Sequence, residues 1–312
     1  MVKYSEFYLT SMDGQTEIHV NEWMPEDTEL RGIVQIAHGV AEYGKRYEDF
    51  AVFLAENGFL VVAGDHLGHG KSLIKDSPMI YFGEDEGWCN AVDDVESIRV
   101  KIHMEHPELP YYMFGHSMGS FITRSHLIRH GGMLDGAIIC GTGFLAKPLV
   151  IGGKIVAFLE SRRIGKKGYS ALVDKLAFGS YNKSYGKKRT EFDWLSVNEE
   201  NVDKYIEDPL CGGKITTGLF LDLLEGISYV NNPKNIESMN KAQPLFLISG
   251  DQDPVGDMGK GVMKTYKAFK HAGIKDVEMK LYEGLRHEIL NEKEHETVYM
   301  DVLNWLNSHL EG

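Results

Sequence analysis

Cysteine is scarce. The 312 residues hold three, Cys89, Cys140 and Cys211, widely separated and without CxxC or Cys/His metal spacing. That pattern excludes a disulfide framework and a thiolate metal site. An odd, low count suits a reducing compartment. Positive charge is short as well. Lys and Arg total 33 against 46 Asp and Glu, a formal net charge of -13, so the surface as a whole repels nucleic acid. The basic runs Lys166-Lys167 and Lys187-Lys188-Arg189 lack interleaved aromatics and read as solvated surface. No nucleic-acid partner is expected. Long apolar runs are also missing. The most apolar stretch, 137–159, is broken by Lys147, Pro148, Lys154 and several glycines, too interrupted to span a bilayer. The opening MVKYSEFYLTSMDGQ has no apolar signal-peptide core. These absences predict a soluble, cytoplasmic protein. They leave the oligomeric state open.

What is present is an alternation. Tyr4–Leu9 and Thr16–Trp23 flank Met12-Asp13-Gly14, a hairpin signal. Strand-like runs at 32–38, 59–65, 111–116 and 136–141 then alternate with helix-like runs at 47–58 and 88–106 and after Ser117. Short apolar runs separated by helices predict parallel strands with crossover helices, hence an α/β fold. From about Phe144 to Gly226 the strands stop, and helix-like pieces (KIVAFLESRR, SALVDKLAF, NEENVDKYIED) take over. Alternation resumes with strands at 244–251 and 277–284, a helix at 259–272 between them and a final helix at 287–310. The expected organisation is an α/β core, 1–144 and 226–312, interrupted by a helical insertion, 145–225.

The chemistry is concentrated after strands. Gly115-His116-Ser117-Met118-Gly119 lies between a strand and a helix, the nucleophile-elbow pattern, in which a tight turn needs near-absent side chains two positions either side of the serine. A helix-capping role is the plainer reading of Ser117. A serine nucleophile needs a base, and in this arrangement the order is serine, acid, histidine. Past the insertion, Gly250-Asp251-Gln252-Asp253-Pro254 and Gly284-Leu285-Arg286-His287-Glu288 follow two strands at their carboxyl ends, where open α/β sheets place ligand sites. His287 is the expected base. Asp251 and Asp253 compete for the acid; Asp251 suits a turn, and Asp253, before Pro254, suits a loop returning over the sheet edge. For the oxyanion, the donors expected are the Met118 N–H and the Val40 N–H in His38-Gly39-Val40. His38 reads as a structural hydrogen-bonding residue, not a ligand. The stretch GDHLGHGKS, 64–72, imitates a phosphate loop but has five residues between Gly64 and Gly70 and an Asp at 65; the phosphate loop needs four.

HGVAEY, DHLGHGKS, GHSMGS, GDQDPV and LRHE, in this order, resemble the monoacylglycerol lipase and lysophospholipase branch of the α/β-hydrolases over nearly the whole chain. The resemblance implies a mostly parallel sheet flanked by helices with a helical cap at 145–225. It implies a Ser117, Asp253 and His287 triad, no cofactor and no metal. The partner implied is a small lipid ester, with transient contact between the cap and a membrane or micelle surface. In the cap, Glu160 is a candidate for a glycerol hydroxyl, although a solvated helix position suits it better. Phe158, Leu159 and Phe178 are candidates for an acyl tunnel, against plain packing within the cap. Three functions stay in play: an esterase for medium or long acyl chains, monoacylglycerols above all; a peptidase or small-ester carboxylesterase on the same scaffold; and a non-enzymatic relative.

Overall fold

The computed structural model describes residues 1–186 and 188–310. Lys187 lies outside the described residues; its neighbours Lys188 and Arg189 are exposed. The strands are β1 (Val2–Thr10), β2 (Glu17–Pro25), β3 (Gly32–Ala37), β4 (Phe59–Gly64), β5 (Tyr111–His116), β6 (Gly136–Cys140), β7 (Leu245–Gly250) and β8 (Val277–Tyr282). The helices are α1 (Glu48–Glu56), α2 (Gly87–Glu105), α3 (Met118–Arg129), α4 (Lys147–Ile164), α5 (Ala171–Ala177), α6 (Glu199–Glu207), α7 (Thr217–Val230), α8 (Pro233–Glu237), α9 (Lys260–His271) and α10 (His295–Ser308).

All strands join one sheet in the order β1-β2-β4-β3-β5-β6-β7-β8. The hairpin β1/β2 is antiparallel, β2 meets β4 antiparallel, and every later pair is parallel. Successive side chains leave a strand on opposite faces, so the apolar runs serve two cores. Ile33, Leu60, Val62, Met113, Ile139 and Leu247 pack with Ile98, Ile122 and Phe269 of α2, α3 and α9. Val34, Val61, Phe114, Ile138 and Ile248 pack with Phe50, Leu54, Val302 and Leu306 of α1 and α10. Covered on both faces, the central strands can be apolar at every position, as parallel strands are.

Between β6 and β7 the chain is helical, with Tyr169 and Thr216 making an isolated bridge. The expected boundary after residue 225 falls inside α7. Helix α7 runs through Gly218 and Gly226, although glycine is a poor helix former. Here Gly226 lies flat against the Trp88 ring, where a Cβ would collide. The last helix begins at His295 rather than 287; residues 289–291 form a single 3-10 turn. The buried Arg124 of α3 joins both ends of the inserted stretch. It donates to Thr142 Oγ1 and the Gly143 carbonyl on one side, and to the Val230 carbonyl and Asn231 Oδ1 on the other.

The loops after β3 and β4 pack three buried histidines together. His38 Nδ1 donates to the Gly39 carbonyl at 2.7 Å, and its Nε2 accepts the His66 N–H at 2.8 Å. The His38 and His66 rings are 4.1 Å apart. His69 Nδ1 donates to the Leu67 carbonyl at 3.1 Å. Burial pushes His38 down to about 3 and His69 to about 4, and pushes His66 well below an ordinary imidazole. His38 is thus a structural hydrogen-bonding residue at the base of a loop.

A histidine held neutral by the fold contributes stability above its unfolded pKa. That contribution is lost as pH falls from about 6.5 towards the folded value, because the unfolded chain takes up the proton first. Each such histidine steepens the loss by about 1.4 kcal/mol per pH unit. Asp94 and Asp222, pushed up by burial to about 6 and about 7, act in the opposite direction. His69→Asn retains a donor for the Leu67 carbonyl and removes one titration. Denaturant unfolding between pH 6 and 4.5 should show a slope shallower by about one proton than wild type. An unchanged slope would mean that His69 does not titrate on unfolding.

Candidate active site

The turn between β5 and α3 puts Ser117 at φ 54°, ψ -118°, a conformation that costs energy for any L-residue. Its neighbours make the turn sterically feasible. A Cβ on Gly119 would strike the Ala37 carbonyl, and one on Gly115 would strike Thr123 Oγ1 and lie 2.5 Å from the Gly119 carbonyl oxygen. The Ser117 N–H bonds the Cys140 carbonyl at 3.0 Å, which ties the turn to β6. The Ser117 hydroxyl makes no capping bond to α3, so the plainer capping reading is not the role it plays. Ser117 is 9% exposed and lines a cavity of about 170 Å³.

His287, in the loop after β8, lines the same cavity. Its Nδ1 donates to Asp253 Oδ2 at 2.9 Å, which leaves Nε2 as the basic nitrogen. Asp253 is wholly buried and also accepts from Ser249 Oγ (3.0 Å) and the Val255 N–H (2.8 Å). Asp251 instead accepts the Gly284 N–H at 2.9 Å and closes the turn between the loops after β7 and β8. Gly141, at φ 59°, leaves room for the imidazole; a Cβ there would sit 3.0 Å from His287 Cε1.

Val40 lines the cavity, and Met118 is the first residue of α3. Among the described residues neither N–H has a protein acceptor. The neighbouring Gly39 N–H is taken by Glu42 Oε1 at 2.6 Å. Glu42 is the centre of a buried ionic network that the motifs did not reveal. It accepts from Tyr47 Oη (2.8 Å) and Arg46 Nη1 (2.7 Å), with His116 Nδ1 at 3.3 Å. Arg46 reaches Glu288 with both terminal nitrogens at 2.9 and 3.0 Å, and Glu288 also accepts from Asn201 of α6 at 2.7 Å. Burial opposes the Glu42 charge, yet His116 and Arg46 hold the carboxyl well below its usual range. Burial likewise opposes charge on His116, but Glu42 raises it above an ordinary imidazole. His116 Nδ1 lies 2.8 Å from Tyr47 Oη, and its Nε2 lies 3.2 Å from the His287 carbonyl oxygen. The network holds the loop after β3 and the loop of His287 in one frame. Glu42 lies in the loop after β3 and Arg46 in a 3-10 turn, so no helix period marked the pair in the sequence.

The insertion supplies much of the cavity wall: Phe178, Phe192, Trp194, Leu195 and Tyr205. Of the candidates for substrate contact, Phe178 lines it. Phe158 and Leu159 face solvent on α4 instead. Glu160 is also outside the cavity; it pairs with Arg163 and accepts from Ser170 Oγ at 2.5 Å. Arg163, one turn on at i+3, and Ser170 take up both of its oxygens within the insertion. Phe192, Trp194 and Tyr205 fall in stretches without a motif and were not singled out. Asp276, Glu278 and His309 bring ligand atoms within 4.8 Å of one another, but none of them lines the cavity.

Comparison with known proteins bears on this geometry. The family described as "Serine aminopeptidase, S33" matches residues 28–294. Monoacylglycerol lipase of Mycolicibacterium smegmatis is 29% identical over 95% of this chain and 95% of its own length. Human monoglyceride lipase is 27% identical over 96% of this chain and 89% of its own. A highly thermostable carboxyl esterase from Bacillus coagulans, solved in complex with glycerol, superposes with a TM-score of 0.91 at 27% identity, covering 98% of this chain and 99% of the other. With its mostly parallel sheet flanked by helices, this chain is an α/β-hydrolase and belongs to the serine aminopeptidase S33 family.

Proposed function

We propose that this serine ester hydrolase cleaves monoacylglycerols of medium or long acyl chain, through Ser117, His287 and Asp253. One observation carries the reading: the His287–Asp253 bond of 2.9 Å beside a cavity that Ser117 also lines. Ser117 Oγ attacks the ester carbonyl as His287 Nε2 takes its proton; Asp253 holds the ring and stabilises the imidazolium. The Val40 and Met118 N–H groups receive the oxyanion. The imidazolium then protonates the leaving glycerol oxygen. Water, deprotonated by the same nitrogen, releases the fatty acid and restores the serine.

In this reading 145–225 serves as a cap. Its aromatic side chains wall the cavity. Ile151, Ile155, Phe158 and Leu159, spaced along one face of α4, are exposed, with Leu172 and Leu176 of α5. An unburied apolar helix face of this kind favours transient contact with a membrane or micelle that holds the substrate. No helix among the described residues is long and apolar enough to cross a membrane. A small-ester carboxylesterase is the second reading, favoured by the cavity itself. About 170 Å³ is below the roughly 300–1,000 Å³ of most ligand pockets, so a long chain requires part of the wall supplied by the insertion to move.

Ser117→Ala should lower kcat by about 10⁴-fold or more with the fold intact. Asp253→Asn should cost far more than Asp251→Asn, because only the residue bonded to His287 fixes its tautomer. The reverse ranking would transfer the acid role to Asp251. Burying each methylene contributes about 0.8 kcal/mol, so kcat/KM from C4 to C10 monoacylglycerols should rise roughly a hundredfold or more. Activity that peaks with acetyl esters would assign the carboxylesterase reading. Lysophosphatidylcholine hydrolysed faster than every monoacylglycerol would assign a lysophospholipase.

A further inference from the structure

We propose that Trp194, from the insertion, is the positioning residue of the base; the inference rests on His287 acting as that base. The indole lies against the imidazole, with ring centroids 5.1 Å apart at 41°, and the His116 ring flanks it at 4.7 Å and 40°. Asp253 fixes His287 through one hydrogen bond at Nδ1. A single bond is a pivot and leaves the ring free to tilt. The two flanking rings remove that freedom, and so aim Nε2 into the cavity. Orientation of this kind is a large part of what a general base contributes. The indole face also attracts the imidazolium that forms as Ser117 is deprotonated.

Trp194 is itself packed within the insertion by two neighbouring rings. Tyr181 meets it edge-on at 4.8 Å, and Phe178 stacks on it at 6.3 Å and 18°. The backbone around it is stitched to the residues around His287. Arg286 Nη1 donates to the Asp193 and Ser196 carbonyls, at 2.5 and 3.1 Å. The Glu288 N–H donates to the Leu195 carbonyl at 2.7 Å. Glu292 accepts from Ser196 Oγ at 2.6 Å and from the Val197 and Asn198 N–H groups. The bonds bracket Trp194 in sequence on one side and His287 on the other. The two side chains are therefore carried by one rigid unit. A cap motion that took 193–198 with it would unseat the base. Any opening is consequently confined to the rest of the insertion, α4 and α5 in particular.

A merely lining tryptophan would act through the acyl chain; a positioning one acts whatever the acyl group. The test compares Trp194→Leu, Trp194→Phe and His287→Ala with wild type. It reads the rate of phosphylation by diisopropyl phosphorofluoridate, kcat and KM for acetyl- and decanoylglycerol, and thermal stability. Trp194→Leu should lose about 10- to 100-fold in the phosphylation rate, the scale of a misplaced catalytic group. Its kcat should fall by the same factor for both esters. Trp194→Phe, which keeps a ring face, should stay within about threefold of wild type, since smaller aromatic faces serve the same contact. If Trp194→Leu does not fold, Trp194→Met, which keeps apolar bulk without a ring, is read by the same criteria. Wild-type phosphylation with only a raised KM for decanoylglycerol would overturn the proposal and leave Trp194 as wall. Wild-type phosphylation in His287→Ala would overturn the underlying assignment of the base instead.

Discussion

The Ala37 carbonyl occupies the space where a side chain on residue 119 would begin. That steric constraint lets α3 start against the end of β3, which brings the turn of Ser117 beside the loop of Val40. Only glycine at 115 and 119 satisfies it. Ser117 then takes a left-handed backbone that nothing local favours, and the strain is met by packing on both faces of the sheet. The approach that strains the serine also leaves the Val40 and Met118 N–H groups, in its vicinity, without an acceptor among the described residues. Strain and unmet hydrogen bonding have one cause, the close contact of a strand end with a helix start.

The second constraint is electrostatic. Glu42, Arg46, His116 and Glu288 are nearly free of solvent. A buried charge is costly unless it is paired and hydrogen-bonded, and removing one partner strands the others. The group therefore behaves as a unit. It reaches the loop after β3, the elbow, the loop of His287 and, through Asn201, the insertion. Loops are ordinarily the mobile part of an α/β domain. Here three of them share charges that cannot be separated cheaply, and the cavity inherits their rigidity.

The insertion is attached unevenly. Residues 193–198 are bonded to the loop that carries His287 and to Glu292. Helix α4 buries Val150 and Ala157 but exposes Leu149, Ile151, Ile155, Phe158 and Leu159. Local stability follows buried contacts and hydrogen bonds. The part of the insertion that faces His287 is thus tied to its loop by hydrogen bonds, whereas α4 is held by packing against α7 and leaves its outer apolar face exposed.

The alternation of apolar runs and helices, the glycines about Ser117 and the placement of Asp253 and His287 after late strands were legible in the sequence. Each is a local property: a period, a steric need, a position at a strand end. The same logic failed where partners lie far apart along the chain. The final helix is expected from residue 287, yet it starts at His295, because His287 is bonded to Asp253 and its neighbours Arg286 and Glu288 are bonded to 193–196. Glu160 reads as a solvated helix position or a polar contact for substrate, yet its carboxylate is taken up by Arg163 and by Ser170 of the next segment. The union of Glu42 with Glu288 through Arg46, and of Trp194 with His287, joins residues about 90 to 250 apart in number. Such pairs leave no periodicity to read. Their meeting is decided by the closure of the sheet and the docking of the insertion upon it, because low-dielectric pairing and ring packing have value only once those surfaces have excluded water.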